Sequence, residues 1–157
     1  MQWSRGKGCK TMVLPGGVPV GWIGGSCDYG HKERAGGAAV VIEHNDNIIS
    51  RDVICDLHTT EFRMMLTLMI KVMQEIPEGS DILFLTNAAY IQNFDKAPTS
   101  KSANPDLIIQ CIEDKERHNS VGVKIVQYHK SSLLIETHDR ATEAMAKTRK
   151  EFHLKNK

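Results

Sequence analysis

Charge of either sign is nearly absent in excess: 20 lysines and arginines face 19 aspartates and glutamates, leaving +1 at neutral pH. An overall electrostatic attraction to nucleic acid is thereby excluded, and any such affinity has to come from local patches. Cysteine is sparse too. Cys9, Cys27, Cys55 and Cys111 form no Cys-x-x-Cys pair and have no histidines at metal-ligand spacing. The expectation is free buried thiols in a reducing, intracellular compartment, cytoplasm or nucleus, rather than disulfides or zinc. The early positive residues are not followed by an apolar segment long enough for a signal peptide, although a mitochondrial address stays open. No apolar run reaches membrane length, since the longest, Met64 to Met73, is broken by Thr67 and Lys71, so a soluble chain is expected. Internal repeats and low-complexity blocks are missing as well.

What is present is a 157-residue chain with 41% hydrophobic residues, enough for one globular domain with a real core. Its most organised stretch runs from Cys55 to Phe94. Phe62, Met65, Leu66, Met69 and Met73 recur at helical spacing, and Met64, Leu68, Ile70 and Val72 widen the apolar face. A helix over 60–75 with so thin a polar stripe is mostly buried. Thr59 or Thr60 can cap it, Glu61 sits in its first turn where the dipole favours an anion, and Pro77 with Gly79 stops it. Ile82 to Leu85 then reads as an inner strand, followed by a second helix toward Phe94. Before this core, residues 1–17 read as an irregular arm rich in glycine and carrying Arg5, Lys7 and Lys10 without an acid. Strands are expected near 18–23, 38–43, 52–57, 82–86 and 123–127, with a hairpin through Asn45-Asp46-Asn47. Together with the helices they predict an α/β fold, one mixed sheet flanked by helices.

Five segments, taken in order, resemble the ribonuclease H family. Thr59-Thr60-Glu61-Phe62 followed by the apolar helix, then Leu85-Thr86-Asn87, resembles its acid-bearing first helix and the strand ending in Thr-Asp-Ser. Trp22 to Cys27 resembles the first strand with its Thr-Asp-Gly-Ser-Cys ending, and Ala35 to Val40 the second strand. Asn104-Pro105-Asp106-Leu107-Ile108 is similar to the helix beginning Asn-x-Asp-Leu, and His138 to Ala146 to the closing helix. The resemblance implies a ribonuclease H-like domain over 18–157, built on a five-stranded mixed sheet.

Enzymes of this family hold two divalent metal ions with four carboxylates and cut the RNA strand of RNA–DNA hybrids. Carried over residue by residue, the resemblance puts those carboxylates at Gly24, Glu61, Asn87 and Thr142, of which Glu61 alone is an anion. Hard cations need anionic oxygen ligands, so no metal is expected, with Glu61 the contact if any and magnesium the ion if the chain is active. Asp28, four residues after Gly24, and Asp139, one turn before Thr142, are the acids that could substitute. His129 stands near the family's mobile histidine after a one-residue shift. The basic handle that grips hybrid in some members has no room in the polar linker from Asp95 to Ala103. Weak basic patches remain at Arg5, Lys7 and Lys10 and at Lys147, Arg149 and Lys150. Three functions stay open. The leading one is a catalytically degenerate ribonuclease H-like domain retained for binding RNA or hybrid, or for assembly with protein partners in a larger nucleoprotein. The others are an active endonuclease on RNA–DNA hybrids and a protein-only scaffold.

Overall fold

A computed structural model describes residues 17–156, apart from the side chain of Lys130. Arg5, Lys7, Lys10 and Cys9, and with them nearly all of the expected arm, lie outside the described residues. Five strands follow the chain as β1 (Val20–Cys27), β2 (Gly36–His44), β3 (Asn47–Asp56), β4 (Asp81–Thr86) and β5 (Ser120–Ile125). They form one sheet in the order β3-β2-β1-β4-β5. The hairpin-linked pairs β1–β2 and β2–β3 are antiparallel, whereas β1–β4 and β4–β5 are parallel. Parallel neighbours need crossovers, which α1 (Glu61–Glu75) and α2 (Pro105–Glu116) supply in turn. The long α3 (Ser132–Lys155) closes the chain.

Side-chain parity on β1 and β2 separates the two helical layers. A Cβ on Gly25 would meet Glu61 and Met65 of α1, and one on Gly36 would meet Thr59 and Met64. Their sequence neighbours point the other way: a Cβ on Gly24 would meet Thr137 and His138, and one on Gly37 Ala141 and Ala144, all on α3. The sheet is therefore covered on both faces, and every residue of β2 except Glu43 is buried. Small residues on β1 and β2, Gly24-Gly25 and Gly36-Gly37-Ala38-Ala39, are what lets both helices come this close.

The α1 helix buries Met64, Met65, Leu66, Leu68, Met69, Val72 and Met73 against the sheet. Of the two threonines able to cap it, Thr60 does so, accepting from the Arg63 amide at 3.1 Å. Arg63 also pairs with Asp106 at 3.2 Å, which ties the start of α2 to α1. Several boundaries differ from the sequence expectation. Asn45 and Asp46 both take positive φ, 51° and 64°, as a two-residue hairpin turn requires. The return strand thus begins at Asn47, and Ile48-Ile49 and the expected 52–57 strand are one continuous β3. The β2–β3 pairing shifts register between Ile42 and Glu43. The segment after β4 is a 3₁₀ turn, Ala89–Asn93, rather than a second α-helix. The closing helix starts at Ser132, capped by Ser131, well before His138. Among the described cysteines only Cys111 is buried, Cys55 being exposed on the edge strand and Cys27 half-buried, so the expectation of uniformly buried thiols is corrected. No helix among the described residues is long and apolar enough to cross a membrane.

Candidate functional site

Parallel strands β1 and β4 run side by side, so Gly24 and Asn87, just beyond the paired residues Trp22 and Leu85, come to the same end of the sheet. The buried Thr86 shapes this end: its hydroxyl accepts from the Ala88 amide at 3.2 Å, turning the chain so that Asn87 is exposed. From the α3 face, His138 Nε2 meets Asn87 Oδ1 at 3.0 Å. An amide oxygen only accepts, so Nε2 is the donor of this pair. The Tyr128 ring stands edge-on to His138, 5.0 Å between centroids, and His129 continues the stack at 5.1 Å from Tyr128.

Gly24 lies directly beneath this cluster. A Cβ there would sit 2.8 Å from Thr137 Oγ1 and 3.3 Å from the His138 backbone nitrogen. Thr137 is itself fully buried and anchored, its hydroxyl donating to Leu134 O at 2.7 Å. The space into which a side chain at position 24 would project is thus filled by α3.

Glu61 lies across β1, against Gly25. Its carboxylate accepts a short hydrogen bond from the Tyr90 hydroxyl, and its backbone amide donates to the Tyr29 hydroxyl at 3.1 Å. Burial, and after it the Glu61 carboxylate, push the Tyr90 phenol far above its ordinary pKa, so it stays a donor at any working pH. Phe62 packs edge-on to Tyr90 at 5.4 Å.

The remaining residues marked by the sequence have other surroundings. Thr142 is exposed on α3 one turn beyond His138, and the α3 residue that meets Asn87 is His138. Asp139 is exposed and makes no hydrogen bond among the described residues. Asp28 is held by Arg149 at 2.8 Å and His31 at 2.7 Å. The Arg149 guanidinium, foremost among its neighbours, lowers the Asp28 carboxyl to about 2. Arg149 is accordingly an internal tie rather than a free cation, while Lys147 and Lys150 are exposed. Gly24, Asn87 and Glu61 therefore gather at one end of the sheet on its two faces. Tyr29, Tyr90 and Tyr128 escaped the sequence reading because no family motif or spacing marks them. The exposed aromatic directly after Asp28 and the Tyr three residues past Asn87 were the available signal.

Metal ions of the two-ion type do not fit this residue set. Gly24 has no donor, Asn87 offers a neutral oxygen already used by His138, and Glu61 is capped by Tyr90. Among the described residues no group of three or more His, Cys, Asp or Glu side chains is placed to hold an ion.

No family model matches the sequence, and no curated protein does. A solved structure, LC9-RNase H1, described as a type 1 RNase H with the type 2 active-site motif, superimposes with a TM-score of 0.69. The match has 18% identity and covers 85% of this chain and 74% of that one. At that identity the likeness is one of fold. The chain has a ribonuclease H-like fold, with a mixed five-stranded sheet between helical layers.

Proposed function

We propose that this chain is a ribonuclease H-fold module that binds nucleic acid without hydrolysing it. The observation that carries the reading is the filled position beside Gly24, where Thr137 Oγ1 lies 2.8 Å from the site of any Cβ. Where the resembling enzymes place their first metal-holding carboxylate, this chain packs a helix. A divalent pair also needs several anionic oxygens to offset dehydration and mutual repulsion, and Glu61 is the sole carboxylate at the matched positions. Nucleic acid as partner is supported by the fold it shares with an RNase H1 and by aromatic side chains exposed beside Glu61.

The test is incubation of the purified protein with labelled RNA–DNA hybrid, single-stranded RNA and single-stranded DNA, in magnesium and in manganese. Retention of at least one nucleic acid without shortened RNA is the expected outcome. Metal-dependent cleavage that disappears in Glu61→Gln would instead establish an active endonuclease. Absence of any nucleic-acid binding would leave a protein-only scaffold.

A further inference from the structure

Glu61 lines a cleft of about 320 Å³ together with Tyr29, Phe62 and Tyr90. Through the shared Phe62 and Tyr90 this cleft continues into another of about 370 Å³, whose lining adds Asn93, Lys96, Thr99 and Ser102. The two differ in chemistry. The first joins three aromatic rings to a carboxylate, and the second joins a cation to hydroxyls and an amide.

The aromatic walls are held in place by the bonds that hold Glu61. Tyr90 donates to Glu61 Oε1, Tyr29 accepts from the Glu61 amide, and Phe62 braces Tyr90 edge-on. Yet Tyr29 remains 61% exposed and Tyr90 38%, so both rings keep surface for a ligand. Glu61 Oε2 makes no hydrogen bond among the described residues, Oε1 keeps a second lone pair beside the one that accepts from Tyr90, and a carboxylate can only accept. The matching ligand is therefore flat, to lie against the rings, and presents hydrogen-bond donors on its edge. Among nucleobases guanine alone offers two adjacent donors, the ring N1–H and the 2-amino group, aimed in one direction. Adenine and cytosine place an acceptor beside their amino group, and uracil flanks its single N–H with two carbonyls.

In the neighbouring cleft Asp95 is taken by Lys115 at 2.6 Å, which leaves Lys96 without a carboxylate partner among the described residues. Thr99 and Ser102 stand together there, the Thr99 amide donating to Ser102 Oγ at 2.8 Å. A cation beside hydroxyls suits a phosphate. A base at Glu61 with its phosphate toward Lys96 satisfies both halves.

We propose that this double cleft is a guanine-nucleotide site, which seats one guanine of a single strand against Tyr29, Tyr90 and Glu61 with its phosphate at Lys96. The proposal rests on the nucleic-acid reading above and names the ligand of that surface. A duplex keeps its bases stacked and their pairing edges occupied, so the site selects single-stranded RNA or DNA over hybrid.

Calorimetric titration of the full chain with GMP, AMP, CMP, UMP and guanosine, and with single-stranded oligonucleotides that contain or lack guanine, tests this. GMP is expected to bind about tenfold more tightly than AMP, the discrimination a bidentate pair supplies. Glu61→Gln should abolish that preference. Lys96→Ala should weaken GMP several-fold while leaving guanosine unchanged, and Tyr29→Leu should weaken all guanine ligands. Equal binding of GMP and AMP, or an unaltered preference in Glu61→Gln, overturns the site. If oligonucleotides bind irrespective of guanine, the inference fails and the nucleic-acid reading survives; if no nucleic acid binds, both fail. Capture of a trimethyllysine peptide in place of GMP would overturn it in favour of a cation-binding aromatic cage.

Discussion

Gly24 decides whether a carboxylate can be placed at the end of β1 by substitution. An aspartate there has to displace Thr137 Oγ1, 2.8 Å from its Cβ, and to press on the backbone of His138. Backbone cannot swing aside as a long side chain can. Gly24→Asp is expected to destabilise the protein by about 1–3 kcal/mol, in the range of core overpacking. Urea unfolding measures this, and adding Thr137→Ala should recover part of the loss. Neither variant should gain magnesium-dependent cleavage of hybrid, because Glu61 stays bonded to Tyr90 and Asn87 to His138. At this scale the sequence was informative about which positions meet and poor about what surrounds them. Gly24, Glu61 and Asn87 were legible as positions because strand ends and helix starts keep their order along the chain. The α3 residue that meets Asn87 is His138, which no spacing in the sequence singled out. A helix slides by a turn without altering its local pattern, so its register against the sheet is set by packing that no single sequence displays.

The elements show the same division between local and distant causes. Thr60 and the apolar stripe of α1 are written locally, and Thr60→Ala should cost about 1 kcal/mol of stability, the usual worth of an N-cap, as a lowered urea midpoint. By contrast, nothing local announces that α3 reaches back to the loop after β1. Arg149 and His153 bond Asp28 and Glu33, and the His31 and His153 rings lie 5.5 Å apart. This loop also carries Tyr29, so the tie fixes one wall of the cleft. The Asp28 carboxyl is depressed from 3.8 to about 2, mainly by its bond from Arg149, and Glu33 is lowered as well. A depressed carboxylate stabilises the fold above its unfolded value, and that contribution disappears as pH falls through the folded one. The tie is therefore complete above about pH 4 and lost between about 4 and 2. Arg149→Met should lower the melting temperature at pH 7, and its deficit relative to the unmodified protein should shrink as pH falls toward 2. A deficit independent of pH across that window would assign the loss to packing of the Arg149 stem.

Over the whole molecule, the balance of charge sets how nucleic acid can be held. Folding places the candidate cations on different sides of the sheet: Lys96 lines the cleft on the α1 side, whereas Lys147 and Lys150 are carried by α3 on the opposite face. Arg149 is neutralised by Asp28. A strand seated against Tyr29 and Tyr90 therefore meets few cations, and stacking and hydrogen bonds must supply most of its affinity. Each phosphate contact to a single strand releases about 0.7 of a counterion, so one or two contacts predict a slope of roughly −0.7 to −1.4 in log K against log salt. Fluorescence anisotropy of a labelled guanine-containing single strand between low and moderate salt measures it. Lys96→Ala should flatten the slope by close to one contact. A slope steeper than about −3 would mean that several basic groups act together. The triple substitution of Arg5, Lys7 and Lys10 by alanine then locates them. If the steep slope flattens, the cations of Arg5, Lys7 and Lys10 contribute to binding, and if it persists, Lys147 and Lys150 on the far face form the principal binding surface.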